Sequence, residues 1–205
     1  SEYIDAFTSF YSFTPSSYIM LNNGEYISVY QNTFYHHNNP DVDRCYIYGS
    51  TVKSRIKFIV NPNYHEVKVF DGLSWESNAV TDDNQNIFTN TFNKLRVTND
   101  YQNTDWWSLT TTQSTDRSVY PPRQRIERRE RLWSTPIPRN SVDVGQKDNP
   151  DIFELGNLNA NRSFKDRVRG SHIYVELEYP NTNILAADVR FSCPYVKTKF
   201  RKSYR

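Results

Sequence analysis

Residues 55–70, which read RIKFIVNPNYHEVKVF, decide the fold class of this chain. Apolar and polar side chains alternate in residues 55–60 and again in residues 66–70, a period of two that is typical of half-buried β-strands. Between them stand residues 61–63, NPN, which combine residue types that favour turns. The stretch therefore predicts a β-hairpin, and the chain is predicted to be mainly β.

Further strands follow the same alternation on both sides of this predicted hairpin. Residues 18–21 and 26–30 flank the sequence NNG at residues 22–24, and an Asn-Gly pair supplies the positive φ angles that a tight β-turn needs. The remaining predicted strands, with the turns that precede two of them, are residues 73–76 after Asp71-Gly72, 93–98, 106–109, 172–179, and 184–192 after residues 180–183.

Long polar segments separate these strands. Residues 77–86 are predicted to form an acidic loop, and residues 110–122, rich in Thr, Ser and Gln, a long loop or linker. The basic residues 123–140 are predicted to form an extended arm that begins as a short helix or an edge strand. Loops of such length usually carry function or make interfaces. We therefore expect residues 1–205 to form a single β-rich domain, an antiparallel sandwich-like fold with long loops and extended arms.

The composition predicts a thin core built from aromatic rings. Hydrophobic residues make up 37% of the chain, below the globular average of about 45–50%. Aromatic residues make up 15%, with 15 Tyr and 12 Phe, and their large rings supply buried area that aliphatic residues do not. We expect part of the order of this protein to come from contacts with neighbouring subunits.

The start of the chain, its hydropathy and its cysteines give expectations about its origin and its cellular environment. The chain begins at Ser1 within an aromatic pattern, so we expect the C-terminal fragment of a longer chain. No apolar run approaches the roughly 18–20 residues that cross a bilayer, and no signal peptide is visible, so no membrane partner is expected. Cys45 and Cys193 are expected to be free thiols of a protein made in a reducing cytoplasm.

Charge is distributed unevenly along the chain. The net charge of +2 is too small to indicate nucleic-acid binding by itself. Residues 66–116 lean acidic, residues 123–139 and 197–205 are basic, and Glu127 and Glu130 interrupt the first basic run. A groove for phosphates rarely includes such carboxylates, so ion pairs between subunits are favoured over nucleic-acid contacts. The candidate interface residues are Arg123, Arg125, Arg128, Arg129, Arg131, Trp133, Arg139, Lys197, Lys199, Arg201, Lys202 and Arg205.

Motifs of catalysis and metal binding are weak throughout the sequence. His36 and His37 stand near Asp41 and Asp43, but adjacent histidines on an extended chain point in opposite directions, so a surface loop is the favoured interpretation. The sequence contains no Gly-x-Ser-x-Gly elbow and no glycine-rich phosphate loop. The carboxylates of residues 82–83 lie in a predicted loop without an apolar pocket that would raise a pKa. We predict a protein that is not an enzyme, without catalytic residues, metal or cofactor.

Several stretches, in order along the chain, resemble one known family. They are residues 5–16 (DAFTSFYSFTPS), 57–62 (KFIVNP), 68–75 (KVFDGLSW), 91–97 (TFNKLRV), 99–104 (NDYQNT), 128–133 (RRERLW), 137–140 (IPRN) and 164–170 (FKDRVRG). In this order they are similar to the C-terminal part of the tail stabilisation, or muzzle, proteins of crAss-like bacteriophages. The resemblance extends from about residue 3 to the end of the chain.

The resemblance implies a structural virion protein of a short-tailed phage, which closes or stabilises the distal tail tube before genome ejection. The implied partners are other tail proteins, the N-terminal part of its own precursor, and further copies of the chain in a homo-oligomeric ring. The resemblance also implies synthesis in the cytoplasm of a bacterial host, location in the tail of the virion, and no active-site residues.

Two other interpretations stay open on the residues alone. One is a carbohydrate-binding receptor module of a phage tail, whose platform for sugar rings would be Trp75, Trp106, Trp107 or Trp133. The other is a capsid or accessory jelly-roll protein that contacts packaged nucleic acid through the arginines of residues 123–140.

Overall fold

The computed structural model describes residues 14–37, 39, 42, 45–81, 83–112, 114–119, 121–139, 142–143, 166–180 and 189–204. These residues form strands and no helix, which confirms the mainly-β prediction. Within the described part, no helix is long and apolar enough to span a membrane. The chain divides into two compact units: the described residues up to Val52 belong to the first, and Lys53–Pro180 with Val189–Arg205 form the second.

The first unit contains a three-stranded antiparallel sheet and a short hairpin. Its strands are β1 (Ser17–Met20), β2 (Tyr26–Tyr30), β3 (Thr33–His36), β4 (Tyr46–Ile47) and β5 (Ser50–Thr51). β1 pairs with β2 across the NNG sequence, as predicted, and Gly24 there has a φ of 82°. β3 follows β2 through Gln31 and Asn32, with φ angles of 47° and 61°. β3 is not predictable from the sequence pattern, because this turn lacks the glycine that marks such reversals.

Tyrosine rings and a buried polar cluster hold one face of the small sheet. Tyr48 stacks on Tyr30, with ring centroids 4.4 Å apart, and meets Tyr35 edge-on at 4.7 Å. The Tyr48 hydroxyl lies 2.8 Å from the hydroxyl of the fully buried Ser28, and Nε2 of His37 lies 2.6 Å from the same Ser28 oxygen. The first unit is thus organised by aromatic stacking and hydrogen bonds, with few aliphatic contacts.

The second unit is a sandwich of two sheets. Its strands, in chain order, are β6 (Ser54–Val60), β7 (Lys68–Thr81), β8 (Lys94–Thr98), β9 (Gln102–Asn103), β10 (Trp107–Thr110), β11 (Arg123–Arg125), β12 (Glu127–Arg129), β13 (Leu132–Pro136), β14 (Val142–Asp143), β15 (Arg169–Gly170), β16 (Ile173–Tyr179) and β17 (Val189–Lys202). The seven-stranded sheet has the order β11-β10-β8-β16-β6, with β9 and β14 beside it. The five-stranded sheet has the order β12-β13-β7-β15, and β17 also pairs with β7. All pairs are antiparallel except β10 with β11.

One hydrophobic core lies between the two sheets. Alternate residues of β8 and β16 point inward, as the period of two predicts. The buried apolar residues that form the core cluster are Phe70, Leu73, Trp75, Phe92, Leu95, Val97, Leu109, Ile126, Trp133, Ile137, Val168, Ile173, Val175, Leu177 and Tyr179. Because residues of both sheets contribute, the predicted sandwich-like fold is confirmed for this unit.

The pairing predicted for residues 55–70 is wrong. Both strands form, but β6 pairs with β16 while β7 pairs with β13, β15 and β17, so residues 61–67 connect the two sheets. The buried Lys68 holds this connecting segment in place, because its Nζ donates to the carbonyl oxygens of Asn63 at 2.8 Å and Glu66 at 3.0 Å. Turn residues reverse the chain locally but do not specify which strand the next strand will join.

A further turn prediction and a further pairing prediction are also wrong. Residues 71–72 do not end a strand: β7 continues for 14 residues to Thr81 and includes part of the predicted loop 77–86. Gly72 stays extended because it pairs with Pro136 of β13 and Lys199 of β17. The predicted hairpin of residues 172–192 does not form either, since β17 pairs with β7 and not with β16. Residues 181–188 lie outside the described part.

Residues 123–139, expected to form an arm, are extended but are paired into both sheets. β11 joins β10, and β12 with β13 forms a hairpin on β7. Ile126, Trp133 and Ile137 are buried in the core. The apolar side chains of this segment therefore point inward and pack in the core of the sandwich.

Candidate functional site: the charged outer face of the seven-stranded sheet

The outer face of the seven-stranded sheet carries two buried glutamates. Along β16, Ile173, Val175 and Leu177 point into the core, so the intervening Glu176 and Glu178 lie on the opposite face. The side chains of Glu176 and Glu178 are only 10% and 3% exposed. Burying a carboxylate is costly unless it is paired, so the neighbouring strands have to supply cations.

Three cations surround Glu178. Arg55 of β6 donates to Glu178 Oε2 from Nε at 2.8 Å and lies 2.7 Å from the same oxygen through Nη2. The ammonium groups of Lys94 and Lys53 lie 3.4 and 3.6 Å from Oε1. Burial by itself raises the pKa of Glu178, but the Arg55 hydrogen bond and the charges of Lys94, Lys53 and Arg55 outweigh burial and leave the pKa lowered. Glu178 is therefore an anion at neutral pH.

Two cations pair with Glu176, and an indole ring lies against one of them. Arg96 of β8 donates from Nη2 to Glu176 Oε2 at 2.6 Å, and Lys57 Nζ lies 3.4 Å from Oε1. The guanidinium carbons of Arg96 and Arg55 lie 4.8 and 5.3 Å from the centroid of the half-buried Trp106 ring. Such cation–π contacts add to the ion pairs, so the arginine side chains are held in place from two directions.

This face presents positive charge to solvent. Its paired cations have side chains 29–60% exposed, whereas the carboxylates beneath them are almost covered. The register of β10 with β11 places Arg123 and Arg125 beside Ser108 and Thr110, on the same face. We call the following seven side chains the cationic face: Lys53, Arg55, Lys57, Lys94, Arg96, Arg123 and Arg125.

Five members of the cationic face are missed by the sequence analysis. Lys53, Arg55, Lys57, Lys94 and Arg96 come from two separate segments of mixed composition, and neither segment is a basic run. A signal is present nonetheless. Positive charges recur at every second residue in residues 53–57 and 94–96, and negative charges recur at every second residue in residues 176–178. On strands, this spacing puts each set on one face.

The predicted interface residues of the β12–β13 hairpin separate into exposed arginines and a buried ring. Arg128, Arg129 and Arg131 are exposed, and Arg129 pairs with Glu127 at 3.3 Å. Trp133, expected among the interface residues, is only 3% exposed in this chain. Trp133 is a core residue whose ring the Arg128 guanidinium covers from outside, 5.8 Å from the centroid.

The predicted basic terminus is a strand and not a free tail. Lys197, Lys199, Arg201 and Lys202 are exposed on β17, and Arg205 lies outside the described residues.

Acidic residues of the same chain engage part of this terminus. Arg201 Nε lies 3.2 Å from Asp71, Lys202 Nζ lies 3.0 Å from Glu66, and Arg167 also donates to Asp71. The Lys202 hydrogen bond, followed by the Lys202 charge, lowers the pKa of Glu66. Asp71 and Glu66 therefore form ion pairs within the chain.

Asp71→Asn tests whether the contacts of Asp71 stabilise the chain as ion pairs. The variant is expected to lower the free energy of unfolding by no more than about 1 kcal/mol at low salt, because the two arginine partners are half exposed. The difference should shrink with added salt, which screens exposed pairs. Urea denaturation at two ionic strengths measures both effects. A loss that is equal at both salt concentrations would contradict an ionic origin.

A cleft at one end of the core gathers further arginines. It has a volume of about 280 Å³, and Arg117, Arg139 and Arg167 line it together with Asp71 and Trp107. The predicted interface residue Arg139 is thus half-buried in this cleft. Because Arg167 is already paired with Asp71, the cleft is less cationic than its arginines alone indicate.

The adjacent histidines occupy different environments. His36 Nε2 lies 3.7 Å from Glu25, whereas His37 contacts Ser28, and burial, followed by the charge of His36, lowers the pKa of His37. In the part of the chain that the structure describes, no three His, Cys, Asp or Glu residues come together as metal ligands would.

The tryptophans do not provide an open platform. Trp75, Trp107 and Trp133 are 0%, 1% and 3% exposed, and each belongs to the interior of the sandwich. Trp106 is half-buried and lies against the guanidinium groups of Arg55 and Arg96. A sugar ring needs a free aromatic face, which the three buried rings do not offer.

Comparison with known proteins found a family model that matches part of the chain. Residues 42–140 match the family model described as the Crassvirus muzzle protein C-terminal domain. A search of curated proteins found no match. The matched range includes β6 to β13, and these contain five of the seven strands of the seven-stranded sheet. The resemblance to muzzle proteins is therefore confirmed over these residues.

Proposed function

Because residues 42–140 match the C-terminal domain of Crassvirus muzzle proteins, we propose that this chain is a structural protein of a phage virion, located at the distal end of the tail. There it closes or stabilises the tail tube before genome ejection, as one of several copies in a ring together with other tail proteins. The family match is the observation that carries this proposal. The two-sheet body supports it, because a wide, rigid sandwich suits a role that depends on packing.

The chemistry of the charged face favours binding over catalysis. A carboxyl group that donates a proton at neutral pH needs a raised pKa, whereas the pKa of Glu178 is lowered. Glu176 is likewise held by Arg96 and Lys57. We therefore propose that these carboxylates orient cations and perform no proton transfer.

The alternative of a carbohydrate-binding module has less support. Its premise is an exposed tryptophan platform, and three of the four candidate rings are buried. The fourth, Trp106, packs against two arginines. The alternative of a nucleic-acid-binding capsid protein relied on a free arginine arm, and residues 123–136 are instead paired strands.

Labelling of intact virions tests the proposed location. An antibody fragment raised against this chain is expected to bind at the end of the tail farthest from the head in electron micrographs. The matched control is a fragment against the major capsid protein, which should decorate the head alone. Decoration of the head or of the head–tail junction by the first fragment would contradict the proposal.

Genome retention tests the proposed closing role. Phage that carries Arg125→Glu with Arg131→Glu, two exposed candidate interface residues, is expected to release its genome at a lower temperature than wild type, because reversed charges oppose subunit contacts. A dye that becomes fluorescent on DNA reports the release. Arg190→Glu is the control, since Arg190 is exposed and donates to Asn84 of the same chain. Equal release temperatures for all three phages would argue against a closing role for these two arginines.

A further inference from the structure

Two long strands lie at sheet edges, and they differ in how the edge is protected. β17 lies at an edge of the five-stranded sheet, and β6 ends the strand order of the seven-stranded sheet. An edge strand exposes backbone N–H and C=O groups that can pair with another chain, and proteins usually block such edges with lysines, prolines or bulges.

The β17 edge carries all three protective features. Pro194 removes one backbone donor from the strand. The register with β7 shifts between Ser192 and Tyr195 and again between Lys199 and Phe200. Exposed lysines follow in the second half of the strand. A further strand would therefore add poorly to β17.

The β6 edge lacks two of these features, and its one lysine, Lys57, pairs with Glu176 on the outer face of the sheet. β6 contains no proline and pairs with β16 in one continuous register from Ser54 to Val60. Its apolar Ile56 and Ile59 are 38% and 59% exposed and, being an odd number of residues apart, lie on opposite faces of the strand. No strand pairs with the second edge of β6 in the described part of the chain.

The two cations of β6 do not block its edge. Arg55 and Lys57 extend over the outer face of the sheet towards Glu178 and Glu176, at 2.7 and 3.4 Å. Their side chains stay 55% and 60% exposed, and Lys53 beside them is 47% exposed. The open edge is therefore bordered by a row of positive charge that the buried carboxylates only partly neutralise.

We propose that β6 is a docking edge, to which an extended acidic segment of a partner protein adds as a further strand. Backbone hydrogen bonds along Arg55–Val60 would hold the segment, as in other cases of strand addition. Carboxylates at alternate positions would face Arg55 and Lys57, because directly opposed residues of paired strands share a face. The intervening apolar side chains would cover Ile56 and Phe58. This inference rests on the strand edge and the charges beside it, and does not depend on a place in the tail.

Titration of the full chain with synthetic peptides tests the docking edge. The probe is a peptide of about eight residues that alternates Glu and Val, the length of an ordinary strand. The expected result is a set of amide chemical-shift changes and slowed hydrogen exchange confined to β6. Two control peptides should bind at least about tenfold more weakly: one that alternates Lys and Val, and the acidic peptide with a central proline, which breaks the backbone ladder.

Matched variants locate the binding. Ile59→Glu, at an exposed position of β6, should weaken acidic-peptide binding at least about tenfold through charge repulsion. Val67→Glu, at a similarly exposed apolar side chain outside β6, should leave binding unchanged. Hydrogen exchange of the unaltered chain keeps the test valid if Ile59→Glu does not fold.

Several outcomes would overturn the proposal. Equal binding of acidic and basic peptides, or protection on β17 in place of β6, would remove the edge as the site. Shifts of β6 amides that depend only on protein concentration would make a second copy the occupant. Binding of a single-stranded oligonucleotide to the cationic face, with no response to the acidic peptide, would favour nucleic acid as the partner.

Discussion

Replacing Trp75 with alanine is expected to lower the free energy of unfolding by about 3–5 kcal/mol, the range for deleting a large buried ring. Trp75 is 0% exposed and lies in β7 opposite Trp133 of β13 and Val196 of β17. Its Nε1–H donates to Thr91 Oγ1 at 2.7 Å, and its ring meets Phe92 edge-on. The substitution therefore leaves a cavity at the centre of the five-stranded sheet, which urea denaturation followed by circular dichroism would detect.

Two companion variants separate the causes of this loss. Trp75→Phe keeps most of the ring and should cost about 1–2 kcal/mol, because Thr91 retains a hydrogen bond with Ser77. Trp106→Ala removes a half-buried ring and two cation–π contacts and should cost less than Trp75→Ala. A loss for Trp75→Ala no larger than that for Trp106→Ala would contradict the central position of β7.

Replacing Glu178 with glutamine is expected to lower the free energy of unfolding by about 1.5–3 kcal/mol at neutral pH, because charge-assisted hydrogen bonds are lost from a buried site. The cost stays below that of a stranded buried charge, since Arg55 and Lys53 remain about half exposed and Lys94 remains partly exposed. The measurement is a comparison of urea midpoints between the two proteins.

The Glu178→Gln effect should depend on pH in a defined direction. The pKa of Glu178 is lowered in the folded protein, so its carboxylate stabilises the fold above the usual glutamate pKa of 4.5. That stabilisation is lost as pH falls from the usual glutamate value through the lowered folded value, and the two proteins should converge over this acid range. Glu127→Gln is the control, because Glu127 is half exposed and its Arg129 partner is 85% exposed. A difference that stays constant over the acid range would contradict the assignment.

The sequence predicts strands well and their partners poorly. Alternation locates β6, β8 and β16, because burial of one sheet face imposes a period of two on each strand by itself. Pairing depends on which distant strand offers a matching apolar face, and no local pattern records this. Residues 61–63 and 71–72 show the difference: both look like turns, yet the first connects two sheets and the second lies inside β7.

The charged site is even less visible in the sequence. The basic runs of residues 123–131 and 197–202 attract attention because their arginines and lysines are neighbours along the chain. In the folded chain, part of each run is held by internal acids or covers the core. The cationic face instead gathers charges from three strands and one preceding residue, and only the order β11-β10-β8-β16-β6 brings them together. Recognising it requires the sheet order, which the sequence alone does not supply.

The sheet order also has a consequence for how the chain acquires its structure. Arg55 and Glu178, which meet across β6 and β16, are 123 residues apart, and Lys202 and Glu66 are 136 residues apart. Loops of this length must close before the ion pairs and core contacts form, and topologies dominated by such distant contacts fold slowly. During synthesis, β6 and β7 remain without their neighbouring strands β16 and β17 until those strands emerge. This delay makes the unprotected β6 edge a site where a partner segment, already present, could guide the nascent chain.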